Sequence, residues 1–196
     1  MGLFDDLKKK VNQTVNANAG QAVTNAFKKA TNKTETITFA KLPDTLEEFK
    51  ALPQAALTSP FDTAALTVLA LCFYPKDKQL CFDMLDAIKG PRPLSQQEKS
   101  FINDRFMDGK DYVPRSYFVG ATPQNDYTPS EPYSIKVKEN PYSYDNENYA
   151  KLFITSGGAD SDRYVTLRFA KDGKWYLWEQ YLLPDIRKPE STNPWA

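Results

Sequence analysis

The stretch Ser59-Pro60-Phe61-Asp62 opens a run that continues through Leu66, Val68, Leu69, Leu71, Cys72 and Phe73, apolar nearly all round if wound as a helix. A helix with no polar face cannot lie on a surface; it belongs in the middle of a domain. The longest apolar run spans about eleven residues, roughly half of what a bilayer-spanning helix needs, so the expected covering is protein. The neighbouring segments supply it.

Upstream, Pro43-Asp44-Thr45-Leu46-Glu47-Glu48-Phe49-Lys50 reads as a short helix. Asp44 or Thr45 is its N-cap, Glu47 and Glu48 sit in its first turn, and Pro53 closes it. Downstream, Tyr74-Pro75-Lys76-Asp77 turns into a third helix carrying Leu80, Cys81, Met84, Leu85 and Ile88, ended by Gly90-Pro91. Ser95-Gln96-Gln97-Glu98 is a capping box that launches a fourth, with Phe101, Ile102, Arg105 and Phe106 on one side. After Gly109 the pattern becomes one of strands and turns. Strands are expected at 115–120, 133–138, 150–155, 164–169 and 175–181. Asp172-Gly173 predicts a two-residue hairpin with Phe169 opposite Tyr176, Leu167 opposite Trp178 and Val165 opposite Gln180. Arg168 then lies diagonal to Glu179 as an exposed ion pair. The expected class is α+β: helices packed on one face of a C-terminal antiparallel sheet of about five strands.

Residues 1–36 differ in composition from the rest. They hold Lys8, Lys9, Lys10, Lys28, Lys29 and Lys33 against Asp5, Asp6 and Glu35, and contain no Pro, Tyr or Trp. Leu3, Phe4, Leu7, Val11, Val15, Ala19, Ala22, Val23, Ala26 and Phe27 form one helical stripe, thinned by Asn12, Asn16, Asn18 and Gly20. The expectation is an amphipathic, partly disordered leader that needs a lipid surface, a second copy or a partner protein to order it. Residues 37–196 then form a single α+β domain.

Charge and composition remove several function classes. Lys and Arg total 25, Asp and Glu total 25, and there is no His. A formal charge of zero withdraws the usual electrostatic argument for nucleic-acid binding. Without His, a Ser-His-Asp triad, a Cys-His pair and a His-rich zinc site are all impossible. Cys72 and Cys81 lack CxxC spacing and read as small core hydrophobes. No metal and no cofactor is expected. Without a signal-like or bilayer-length apolar segment, the expected compartment is the cytoplasm.

Two segments stand out as candidate contact surfaces. Asp111 to Tyr149 holds seven of the eleven tyrosines and five of the fourteen prolines. Pro-locked, Tyr-rich loops form rigid half-apolar recognition surfaces, or cap sheet edges with their hydroxyls in water. Ser156-Gly157-Gly158-Ala159-Asp160-Ser161-Asp162-Arg163 sits between strands. Its glycines can turn backbone N–H groups toward an anion while Arg163 clamps it; the duller account is a tight turn with a local Asp160–Arg163 pair. It is no P-loop, lacking GK[ST] and a following helix. Asp104 and Asp108, four apart on the fourth helix, are a solvated face.

Gly90-Pro-Arg-Pro-Leu-Ser95, the run from Tyr112-Val-Pro-Arg to Asp126-Tyr-Thr-Pro129, Ser156-Gly-Gly-Ala-Asp-Ser-Asp-Arg163, Lys174-Trp-Tyr-Leu-Trp-Glu179 and Ile186-Arg-Lys-Pro189 together resemble a bacterial domain family of unknown function. The resemblance covers about residues 42–196. It implies no activity, ligand or catalytic residue. Asp162 stands where the resemblance leads one to expect Pro after Ser161, adding charge to that turn.

The first functional expectation is a non-catalytic binding or protein-interaction module. Its contact set is Arg115, Tyr117, Asn125, Tyr127, Gly157, Gly158, Asp160 and Arg163, with the arginines taking an anionic group. The partner is an unknown protein or a small anionic ligand, with no nucleic acid and no transmembrane segment. The alternative is a His-free enzyme using carboxylate or tyrosine acid–base chemistry. A third reading docks the domain on a membrane surface, a partner or its own copy through residues 1–36.

Overall fold

A computed structural model describes residues 32–192 and 194–195. The leader expected over residues 1–36 falls almost wholly outside the described residues. Its last part does not: strand β1 runs Thr34–Phe39, so its first half lies inside the stretch assigned to the leader.

Four α-helices follow. α1 (Leu46–Lys50) is capped by Thr45, whose hydroxyl accepts from the Glu48 amide at 3.1 Å. α2 (Pro60–Leu71) starts with Pro at its first position behind Ser59 and buries every residue except Asp62. α3 (Lys78–Lys89) is capped by Asp77 and turned off at Gly90, whose φ of 60° suits glycine. α4 (Gln96–Arg105) has the full Ser95/Glu98 capping box. It stops at Arg105, so Asp108 lies beyond it with φ 62° and shares no helical face with Asp104.

Strands β2 (Tyr133–Lys138), β3 (Tyr149–Ile154), β4 (Arg163–Phe169) and β5 (Trp175–Tyr181) complete one antiparallel sheet in the order β1-β2-β3-β4-β5. β1 and β2 pair along their full lengths although all four helices lie between them in sequence. The apolar helix α2 packs against all five strands, as its lack of a polar face requires, and α3 seals α2 and β5. Thr63 on α2 donates its hydroxyl to the Trp175 carbonyl at 2.8 Å, pinning helix to sheet inside the core.

Two strand expectations need correction. Residues 115–120 are not a strand. Pro114 seeds a 3-10 turn over Pro114–Tyr117, and contact with the sheet is confined to a single bridge of Phe118 to Ile135 and the Val119 amide on the Ser134 carbonyl at 2.9 Å. β1 takes its place as the fifth strand. The β4–β5 hairpin has a three-residue loop, Lys171–Gly173, closed by the Ala170 amide on the Lys174 carbonyl at 2.9 Å. Gly173 sits at φ 80°, the left-handed position such loops use. Phe169 therefore faces Trp175 and Leu167 faces Leu177. A register shift between Thr166 and Leu167 takes up Trp178 as the extra residue and returns Val165 to Gln180, as expected.

Pairing fixes the two faces. Ile37, Phe39, Ile135, Val137, Ala150, Leu152, Ile154, Val165, Leu167, Trp175 and Leu177 are buried under the helices. The opposite face carries Lys138, Tyr149, Lys151, Phe153, Tyr164, Arg168, Trp178 and Tyr181. Arg168 forms no ion pair with Glu179. It lies 4.4 Å from the centre of the Tyr149 ring, while Glu179 accepts from the Tyr181 hydroxyl at 3.1 Å.

Both cysteines are free thiols, Cys81 buried and Cys72 half-buried, packed with the core as their apolar surroundings predict. Desolvation pushes both thiols up, Cys72 to about 12, which leaves them protonated and poor nucleophiles at neutral pH. Among the described residues no helix is long and apolar enough to cross a membrane.

Candidate functional site

The two loops singled out in the sequence meet. The Gly157 amide donates to the Ser116 carbonyl at 2.8 Å. Beside it runs a short buried relay: the Gly158 amide donates to Ser156 Oγ at 3.1 Å, the Ser156 hydroxyl to Ser116 Oγ at 2.7 Å, and the Ser116 hydroxyl to the Val113 carbonyl at 2.7 Å. Each hydroxyl gives one bond and receives one, so the contact is internally satisfied. A Cβ on Gly157 would collide with the Ala121 carbonyl, and one on Gly158 with the Tyr127 hydroxyl. Glycine is needed at both positions for close approach.

These bonds settle what the glycines can offer. Their amides are spent inside the protein, so the turn is not a cradle of free N–H groups for an anion. Arg163 is spent as well. Its Nε donates to the Pro184 carbonyl at 3.2 Å, one terminal nitrogen to the Asp185 carbonyl at 2.9 Å, and the other to Ser161. The local Asp160–Arg163 pair is absent too: Asp160 pairs with Arg187.

Arg163 and Asp160 both find partners in the segment that follows β5. After β5 the chain doubles back as a strap, residues 182–192, anchored by buried Leu182, Leu183 and Ile186. Three tyrosines hold it by hydroxyl donation. Tyr117 donates to the Leu182 carbonyl, Tyr127 to the Arg187 carbonyl at 2.6 Å, and Tyr112 to the Ile186 carbonyl at 3.4 Å. Tyr112 and Tyr127 also stack, their ring centres 5.5 Å apart. Burial pushes the Tyr117 hydroxyl far up and that of Tyr127 to about 12. Both are donors holding backbone, buried to 1% and 0% exposure. The apolar Leu182-Leu183 and Ile186 after a finished strand were the available signal for the strap.

Asn125 has a similar role. Its side-chain amide donates to the Gly120 carbonyl at 2.8 Å and the Thr128 carbonyl at 3.1 Å, and its oxygen accepts from the Thr122 amide at 2.9 Å. It closes the 120–128 loop. Arg115 is exposed, on the 3-10 turn, and its side chain has no hydrogen bond or ion pair among the described residues.

What this assembly leaves open is a groove of about 760 Å³ between the 123–124 corner and the strap. Gly157 lines it with Pro123, Gln124, Arg187, Lys188, Glu190 and Trp195. Glu190 accepts from the Gln124 side chain at 2.7 Å, and Ser191 donates to Asp126 at 2.7 Å, tying the strap to the far wall. Lys188 is exposed and has no hydrogen bond or ion pair among the described residues. The groove thus offers two cations, one of them held by the exposed Asp160 carboxylate, beside apolar Pro123, Pro194 and Trp195. Among the described residues no group of three or more Cys, Asp or Glu is placed to hold a metal.

No curated protein and no solved structure matches this chain. One family model does, over residues 41–190, which include α1 to α4, β2 to β5 and nearly all of the strap: the chain belongs to the family described as Domain of unknown function (DUF6935).

Proposed function

We propose that this domain is a non-catalytic binding module that takes a small anionic ligand in the groove beside the strap. The observation that carries the reading is the placement of Arg187 and Lys188 on that groove next to Gly157 and Trp195. Of the residues expected from the sequence, Gly157 lines the groove and Asp160 reaches it through Arg187; Tyr117, Asn125, Tyr127 and Arg163 hold the backbone around it, and Arg115 takes no part. Acid–base catalysis has less to work with here. The buried tyrosines are pushed away from neutral pH and donate to carbonyls, and Glu190 is engaged by Gln124.

Amide NMR spectra recorded during titration with inorganic phosphate, and separately with citrate, test this. Shifts confined to Gly157, Arg187 and Lys188, and lost in Lys188→Ala, are the expected result. Uniform or absent shifts at concentrations up to tens of millimolar would remove the groove as a ligand site.

A further inference from the structure

The sheet face turned away from the helices is not built like a solvated face. An antiparallel sheet with one side packed presents polar residues on the other. Here one row crosses three adjacent strands as Phe153, Tyr164 and Tyr181, with ring centres 6.2 Å and 4.6 Å apart. Tyr149 and Trp178 form a second aromatic pair beside it at 5.6 Å.

Cations are threaded among these rings. Lys151 Nζ lies 3.8 Å from the Tyr164 ring centre, Arg168 4.4 Å from Tyr149, and Arg92, from the loop after α3, 4.1 Å from Trp178. Lys138 continues the first row on β2. Opposing them on this face are Glu179, engaged by Tyr181, and Asp162, paired with Lys138. The chain-wide charge of zero, which argued against nucleic acid, averages this positive face with acids that lie elsewhere.

From this geometry we infer that the open sheet face binds single-stranded nucleic acid. Rings whose faces carry cations suit a ligand that has both a flat π system and a negative charge. A base stacks on Tyr164 or Tyr181 while Lys151 swings from the ring to the adjacent phosphate. A neutral sugar would leave the cations unused, and an aliphatic lipid would leave the hydroxyl-bearing tyrosines unused. A sheet face lined with rings also takes splayed bases, whereas a duplex hides its base faces.

Fluorescence anisotropy of the full chain with a fluorescein-labelled octauridylate, at about 50 mM salt, tests the inference. The expected Kd lies between about 1 and 100 μM, rising steeply with salt. Tyr164→Ala should weaken binding about ten-fold, and Lys151→Ala should weaken it while lowering the salt slope by about one. Lys151 is exposed, so Lys151→Glu keeps the fold and should abolish binding. Lys188→Ala should have no effect, which separates this face from the groove. An octauridylate that fails to bind, binds Lys151→Glu as tightly as the parent, or is lost only in Lys188→Ala overturns the inference.

Discussion

The ammonium of Lys89, at the last residue of α3, lies 2.8 Å from the carboxylate of Glu98 in the first turn of α4, with 1% of the lysine side chain exposed. The same nitrogen donates to the Trp178 carbonyl at 3.1 Å, so one buried charge ties two helices to the edge strand. The other Glu98 oxygen accepts from the Ser95 amide and hydroxyl at 2.8 and 2.7 Å. Removing the two partners is not equivalent. Glu98→Gln strands a buried ammonium and should cost about 3 kcal/mol in urea unfolding at neutral pH. Lys89→Met removes the charge that needs compensating and leaves Glu98 with Ser95 and solvent; its cost should be clearly smaller.

The same pair sets an acid limit. Burial alone would raise the Glu98 pKa, but the hydrogen bonds from Lys89 and Ser95 outweigh it and hold the group at about 2, below the usual 4.5. A depressed pKa stabilises the fold above the unfolded value and is lost as pH falls through the folded one. The stability gap between the parent and Glu98→Gln should therefore be constant above pH 5 and close between pH 4.5 and 2. A gap that persists unchanged at pH 2 would show that the carboxylate's charge is not what matters.

The serine relay between the two loops predicts coupling. Ser116→Ala removes the acceptor of the Ser156 hydroxyl, and Ser156→Ala removes the acceptor of the Gly158 amide. Each should cost about 1–3 kcal/mol, because a buried polar group is left without its partner. The double variant should cost less than the sum, with a coupling of at least about 0.5 kcal/mol. Strict additivity in a double-mutant cycle would mean that the two hydroxyls do not act through one another.

The helices were legible because their ends are written locally. Thr45, Ser59-Pro60, Asp77 and Ser95-x-x-Glu98 each place a side-chain oxygen or a proline where the first turn needs it. The sheet was half legible. β2 to β5 are connected in sequence, and their alternation points to the buried face. β1 shows only Ile37 and Phe39 as apolar signal and pairs with a strand on the far side of all four helices, so no local pattern announces it. At 115–120, Ser-Tyr-Phe-Val has strand-forming composition, but Pro114 imposes a helical φ just before it. The candidate loops were legible as unusual and adjacent; their chemistry was not. Whether Arg163 clamps a ligand or the protein's own backbone depends on where residues 184–185 go, and nothing in spacing reveals that.

Gly157 and Gly109 separate two reasons for glycine. Gly157 has an ordinary φ but no room, since its Cβ direction points at the Ala121 carbonyl. Gly109 has room but a φ of 69°. Gly109→Ala should cost about 1–2 kcal/mol, with Gly109→Asn recovering part of it because Asn tolerates the left-handed region. Gly157→Ala should cost at least about 1–3 kcal/mol by overpacking, and no other side chain should recover it. Thermal melting of the four variants checks this; Gly157→Asn performing better than Gly157→Ala would contradict the steric account.

The strap should open at alkaline pH, and Tyr127 should be part of the reason. Its hydroxyl donates to the Arg187 carbonyl at 2.6 Å, a bond that only the neutral phenol can make. Burial raises its pKa to about 12 from the usual 10, with the nearby Tyr112 adding to the effect and Arg187 opposing it. For a raised pKa the stabilisation is complete below the unfolded value and lost as pH climbs through the folded one. The fold should hold to about pH 10 and weaken progressively toward pH 12. At neutral pH, Tyr127→Phe leaves the Arg187 carbonyl without this donor and should cost about 1–3 kcal/mol, felt first in the strap. Hydrogen exchange at residues 182–192 should accelerate in that variant while exchange in α2 stays slow. Equal acceleration in α2 would mean that strap and core open together and that the tyrosine hydroxyls are not a local latch.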